Sequence, residues 1–279
     1  GTLNNIPVFD LAYYPAERGP YNYDTTSSYI NSDGEFTNPE DRWGGIMRSL
    51  TTTNFETANI QYIQFWILDP FNDDATDTGM VNMNGGDLYF NLGNISEDIL
   101  PDSRKSFENG LPTSATDQTH PVDSTSWGRV PTIQAIVNAF DNDPNSSAAQ
   151  DVGLDGLNNT DENSFFNPFM TAFSGIPSIS AAAITAINND PSSDNYHYYR
   201  GTDYDNVSLG TLARYKYFNG TEGNSPVSSG DYPTSSTTLP STEDINRDNN
   251  LSENEGYFQY RVKISPTDIS PGKVGTNYI

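Results

Sequence analysis

Residues 55–68, FETANIQYIQFWIL, hold more apolar β-forming character in one place than any other stretch of the chain. Ile60, Tyr62, Phe65, Ile67 and Leu68 are β-branched, aromatic or aliphatic, Gln61 and Gln64 stand among them, and Asp69-Pro70 stops the run. Such a run fits a sheet strand, because branched and aromatic side chains pack well on a pleated surface. Ile63 and Trp66 break strict alternation, so the expectation is a central strand covered on both faces. An acidic linker follows, and Gly85-Gly86 opens a second strand over residues 87–92. A sheet built on this pair is the expected core.

The remaining chain reads as further strands with one helical excursion. Residues 6–14 (IPVFDLAYY), 42–50 (RWGGIMRSL) and 257–264 (YFQYRVKI) have strand composition, and Gly44-Gly45 suggests a bulge or close backbone packing. Asp33-Gly34 and Asn38-Pro39 mark turns. Ser96-Glu97-Asp98 has the form of a helix cap with an acidic first turn, which predicts a short helix toward Asn109-Gly110. Apolar residues at Ile133, Ile136, Val137 and Phe140 follow helical spacing, and further helices are expected at 163–173, 180–187 and 208–218. The expected fold is a mainly β protein, a jelly-roll-like β-sandwich with a helix-containing insertion. Residues 1–110 begin the sandwich, 111–190 form the insertion with an acidic loop, and 191–279 return to the framework.

Composition narrows the function. The net charge of −24 over 279 residues repels phosphate backbones and excludes a nucleic-acid binder. Aromatic residues make up 12% of the chain, far above what an acidic disordered chain carries, so it should fold. The absence of Cys removes disulfides and thiolate metal sites. No apolar run reaches the roughly 18 to 20 residues of a membrane helix and no secretory leader is visible, which suggests an excised piece with its targeting signals elsewhere.

Acidic loops point to calcium, which takes several oxygen ligands. In the twelve-residue window 244–255, Asp244, Asn246 and Asp248 fall at positions one, three and five. Asn250 offers its carbonyl at seven, Ser252 stands at nine, Glu255 supplies the last carboxylate, and Leu251 takes the position that tucks inward. Asn249 replaces the usual glycine and tolerates positive φ next best. A strand rather than a helix follows, so this is a calcium loop outside an EF-hand; a solvated polar turn is the plainer alternative. A weaker copy spans 151–162, with Asp151, Asp155, Gly156 and Glu162 in place, and Asp141 or Asp143 standing in for the donor that Gly153 lacks.

Catalytic patterns are absent. His120 and His197 form no metal pair, and no Gly-x-Ser-x-Gly elbow occurs. Asp87, Glu97 and Asp98 are the least arbitrary carboxylates for a glycosidase pair, though capping accounts for the last two. Trp43, Trp127 and the cluster Tyr196, Tyr198, Tyr199 have the chemistry to stack on sugars, and packing explains them as well.

Several longer blocks resemble one family in order. AYYPAERGPYNYD (12–24), NPEDRWGGIMRSL (38–50), NFETANIQYIQFWILDPF (54–71) and GGDLYFNLGNISEDIL (85–100) are similar to the SprA/Sov family of Bacteroidetes. So are DVGLDGL (151–157), DNYHYYRGTDYD (194–205), RYKYFNGTEGNSP (214–226) and EDINRDNNLSENEGYFQYRV (243–262). The resemblance implies a segment of a very large outer-membrane β-barrel, the pore of the type IX secretion system, needed for gliding motility in gliding species. A barrel of that size needs more strands than this chain supplies, so the segment is expected to be a folded extramembrane domain. It would sit at the cell surface or the periplasmic face of the outer membrane, with other secretion-system components and secreted cargo as partners. Gating, capping or docking is the expected role, with calcium bracing the loops. A calcium-dependent carbohydrate-binding module is the alternative, and a glycoside hydrolase a third class.

Overall fold

The computed structural model describes residues 13–65, 67, 71, 85–97, 99–106, 110–114, 116–133, 146, 149–150, 155–195, 197–218, 244–246, 248 and 250–269. Contacts group the chain into two units, residues 1–46 with 98–251, and residues 47–97 with 252–279.

The first unit is organised on an apolar core of loop and helix residues. Asn31 makes a tight turn by accepting the N–H groups of Asp33 and Glu35 on its side-chain oxygen, both at 2.9 Å. Gly34 has φ +85°, and a Cβ there would press on Phe173, so the Asp33-Gly34 turn read in the sequence needs glycine on both counts. The turn brings Ile30 and Phe36 together as an antiparallel bridge, and both side chains are buried. The Arg42 guanidinium covers Phe36 at 3.9 Å from the ring centre and pairs with Asp24 at 3.3 Å.

Strands β2 (Val122–Ser124) and β3 (Arg129–Pro131) form a short antiparallel hairpin, with Asp123 opposite Val130. Gly128, φ +137°, sits against the Asp155 backbone, so no side chain fits there. Arg129 N–H donates to the Asp155 carbonyl at 2.7 Å, tying the hairpin to the approach of the first helix.

Helices α1 (Asn159–Phe165), α2 (Asn167–Ser174) and α3 (Ala181–Asn189) follow. Asn158 caps α1 by accepting the N–H groups of Thr160 and Asp161, and Ser180 caps α3 by accepting that of Ala183. Phe169, Met170 and Phe173 on α2 and Ala183 and Ile187 on α3 share helical faces and bury them against Ile30, Phe36, Leu157 and Phe166. Two short helices, α4 (Thr202–Asn206) and α5 (Thr211–Tyr215), carry an aromatic group in which Tyr199 stacks on Tyr215 at 4.8 Å. The helices expected over 163–173, 180–187 and 208–218 thus correspond to α1–α2, α3 and α5. All of the helix expected over 132–140 beyond residue 133 lies outside the described residues, as does nearly all of the strand expected at 6–14.

In the second unit β1 (Gly86–Asn94) pairs with β4 (Gly256–Ile264) over nine residues, from Gly86 opposite Ile264 to Asn94 opposite Gly256. Leu88, Phe90 and Leu92 face one way and are half-buried, with Phe65 against Phe90 at 5.4 Å. Tyr89, Tyr257, Phe258, Tyr260 and Val262 are exposed. Asp87 pairs with Arg261 at 2.9 Å across the ribbon, and the chain leaves through α6 (Pro266–Ile269). Both strands match their sequence expectation.

Three local expectations are corrected. Residues 60–65 join no ladder: residues 55–59 turn instead, with Asn59 at φ +51° and Ile60 N–H on the Phe55 carbonyl, and Ile60, Tyr62, Ile63 and Phe65 are exposed. Strand propensity expresses packing against neighbours, and this segment has no paired strand among the described residues. Residues 42–50 likewise form no strand, although Gly44 does pack closely, against Tyr13. The helix expected after Ser96 is replaced by a turn in which Leu100 and Arg104 bond and Ile99 bridges Lys105. Pro101 would have lacked the N–H donor a continuing helix needs. Among the described residues the strands form these two two-stranded ladders, besides the two isolated bridges.

Candidate functional site: a buried carboxylate cluster

The first turn of α1 and the six residues after α3 converge on one buried polar centre. Asn158 starts α1 so that Glu162 turns inward, where it is fully buried at 0% exposure. After α3 the chain folds tightly on itself. Asp190 accepts the N–H groups of Asp194 at 3.1 Å and Asn195 at 3.4 Å, and the Ser192 hydroxyl donates to Asp194 at 2.7 Å. Asp194 is 2% exposed. One carboxylate oxygen each from Glu162, Asp190 and Asp194 lies within 4.8 Å of the other two. Glu162 Oε2 accepts the Ser192 N–H at 3.4 Å, a long bond, while its Oε1 is buried with no hydrogen-bond partner.

Two groups from the N-terminal loop close the centre. Arg18 stacks over Phe169 at 5.1 Å and donates through Nη2 to the Asp190 backbone carbonyl at 3.2 Å, with its Nε and Nη1 buried and without partners. Tyr23 stacks on Phe166 at 4.5 Å, and its hydroxyl is also buried without a partner. Burial, reinforced by Asp194, pushes the Glu162 carboxyl up to about 7. Burial also raises the Tyr23 hydroxyl and lowers the Arg18 guanidinium, with the surrounding carboxylates pulling Arg18 back toward its charged form.

Of the residues read as metal ligands, Glu162 alone stands in this cluster. Asp151 lies outside the described residues. Asp155 is buried and accepts the Leu157 N–H at 2.9 Å, acting on the Tyr23 hydroxyl but not among the three gathered oxygens. Asp190 and Asp194 were missed because they follow Glu162 by a whole helical hairpin. Their only local sign is the four-residue interval in DPSSD, which by itself means a turn.

The boundary between the two units falls between Leu251 and Ser252, inside the window 244–255. On the first side, Asp244 and Asn246 both accept the Asp248 N–H, Asp248 accepts that of Asn250, and Asn250 accepts Lys105 Nζ at 2.9 Å. Leu251 is buried at 1% exposure. On the second side, Glu255 accepts the Ser96 hydroxyl at 2.7 Å, and Glu97, 3% exposed, accepts the Ser252 N–H at 2.9 Å. Glu97 therefore ties the chain just after β1 to the chain just before β4. Asp87, the other glycosidase candidate in the described residues, is engaged with Arg261.

The histidines are held as structural partners. His120 Nδ1 contacts Asp117 at 2.6 Å; hydrogen bonds from Thr119, Thr113 and His120 hold the Asp117 carboxyl well below the usual range. His197 bridges Asp203 at 2.8 Å and the Tyr198 carbonyl at 2.6 Å, and packs on Tyr204. Trp43 is exposed, Tyr198 is buried in the aromatic group, and Tyr196 lies outside the described residues.

These features define an acidic, loop-rich module of short helices and a two-stranded ribbon, and among its described residues no helix is long and apolar enough to cross a membrane. Residues 168–279 match the SprA_N family, described as motility related/secretion protein. This match supports the resemblance of the sequence blocks to the SprA/Sov proteins. The match takes in Asp190, Asp194, the 244–255 window and β4, and begins just after Glu162. No curated protein matches the chain.

Proposed function

We propose that this chain is a non-catalytic extramembrane segment of a type IX secretion and gliding-motility translocon, on the cell-surface side of the outer membrane, where it gates, caps or docks partner and cargo proteins. The family match over residues 168–279 carries this reading. The ribbon of β1 and β4 supports it: a two-stranded ladder is marginal by itself in water, and this one exposes Tyr257, Phe258, Tyr260 and Val262. Unpaired strand edges and contiguous apolar faces mark sites where further chain adds. Closure of the ribbon into a larger sheet, of sandwich or barrel type, belongs to the same proposal.

The test is made in the parent protein in a gliding bacterium. Replacing Phe258 and Tyr260 with Ser should reduce release of secreted cargo and lower recovery of other outer-membrane secretion components with the tagged protein. Normal cargo release with an unchanged set of co-purified proteins would overturn the docking role. Retention of the isolated chain on polysaccharide gels would favour sugar binding instead.

A further inference from the structure

His197 has an acceptor at each ring nitrogen. Nδ1 lies 2.6 Å from the Tyr198 carbonyl, and Nε2 lies 2.8 Å from Asp203 Oδ2. A carbonyl oxygen and an ionised carboxylate accept hydrogen bonds and donate none, and a neutral imidazole has only one N–H to give. The arrangement therefore asks for a proton on both nitrogens, which makes the ring a cation. His120 differs: its contacts with Asp117 and the Thr119 hydroxyl both run through Nδ1, where one proton suffices.

The surroundings suit that charge. Asp203 supplies the counter-charge from the first turn of α4. The ring packs on Tyr204 with centroids 4.3 Å apart, and a cation is attracted to an aromatic face. Gly201 leaves room for the pair, since a Cβ there would press on the Asp203 carboxylate and lie 3.7 Å from the His197 ring. The other charged groups of these elements have partners of their own. Arg214, 5.7 Å over Tyr204 from α5, pairs with Asp205 at 2.8 Å, and Lys216 pairs with Glu17 at 2.7 Å. Arg200 acts on Tyr199, and burial together with Asp203 pushes the Tyr204 hydroxyl up, so that it stays neutral.

A ring that loses either proton turns a nitrogen lone pair onto an oxygen 2.6 or 2.8 Å away and has to leave one of its two contacts. More than the ring depends on them. The His197 N–H donates to the Tyr217 carbonyl at 2.6 Å, just past α5. Tyr198 is buried where Phe218 meets both Tyr198 and Tyr199 edge-on.

We propose that His197 and Asp203 form a proton-operated clasp. Closed while the ring holds both protons, it fastens α4 to the strip of chain that α5 and the aromatic group pack on; it opens when the ring is neutral. A fold that needs the charged ring is most stable on the acid side and loses that contribution as pH rises. The clasp lies within the segment that matches SprA_N and does not depend on a role in secretion.

Nuclear magnetic resonance of the 279-residue chain tests it, because the chain has two histidines and His120→Gln leaves His197 alone in the spectrum. At about pH 5.5 both ring N–H protons should appear as slowly exchanging signals, since each is held on a protein oxygen; a solvated imidazolium gives its protons to water too fast for that. At about pH 8.5 the His197 backbone amide should exchange about tenfold faster or more, corrected for the intrinsic rate, which is the scale of a lost bond to a charged group. Asp203→Asn separates the clasp from packing. Its carboxamide can donate to Nε2 of a neutral ring whose Nδ1–H still holds the Tyr198 carbonyl, so amide protection should survive at about pH 8.5. His120→Gln should behave as the wild type does. Ring protons lost to solvent at acid pH would overturn the clasp. So would amide protection that is equal at the two pH values, or Asp203→Asn loosening with pH as the wild type does.

Discussion

Phe173 is 1% exposed where the turn at Gly34 meets helices α2 and α3, and it has the ring of Phe169 at 6.0 Å. Few positions in the chain combine so many elements on one side chain. Phe173→Ala should cost about 3–5 kcal/mol, read as a lower urea midpoint at unchanged slope. Asp24 makes a smaller, titratable contribution. Burial alone would raise its carboxyl, but hydrogen bonds from Thr26 and Arg42 outweigh burial and hold it below 3.8. A carboxyl depressed in the folded state adds stability above its unfolded pKa and loses it as pH falls through the folded value. Asp24→Asn should therefore destabilise the chain at neutral pH by about 1 kcal/mol or less, given its partial exposure. The gap from wild type should narrow as pH falls below 3.8. An unchanged gap across that range in urea unfolding would mean the pair is inert.

At the scale of elements, legibility in the sequence follows how local the determining physics is. Helix α3 was readable because Ser180 and the spacing of Ala183 and Ile187 are local signals. The strands β1 and β4 were readable from composition, but their pairing was not, since nothing in either names a partner so far along the chain. Residues 60–65 show the reverse case, in which a strong strand composition finds no ladder and leaves Tyr62 at 84% exposure. The carboxylate cluster was half legible: Glu162 stood out, while Asp190 and Asp194 reach it only through the fold of α1 to α3. The caps give the direct test at this scale. Asn158→Ala frees the first N–H groups of α1 and loosens the residue that aims Glu162 inward, so it should cost about 1 kcal/mol of stability. Urea unfolding in chelator measures that cost free of any bound ion.

For the whole molecule, the net charge of −24 is the dominant long-range term. With 13 basic residues against 37 acidic ones, most carboxylates have no cation to pair with, and their mutual repulsion opposes folding. Sodium chloride should raise the thermal midpoint as the Debye length shortens from about 30 Å at 0.01 M to about 8 Å at 0.15 M. A midpoint that falls with salt would show that the few ion pairs, such as Arg42 with Asp24, outweigh the general repulsion.

The pairing of β1 with β4 also sets a schedule. A ribosome delivers β1 long before β4, and nearly the whole helical unit is made in between. Until Gly256–Ile264 is made, Gly86–Asn94 lacks the strand it pairs with in the folded chain, and closing so distant a contact is slow. A chain ended at Leu251 should therefore aggregate during synthesis, and a peptide of sequence GYFQYRVKI supplied in trans should rescue it by filling the vacant edge. Aggregation is thus a hazard of the interval between the synthesis of β1 and that of β4, and whatever holds the nascent protein in that interval must shield one strand.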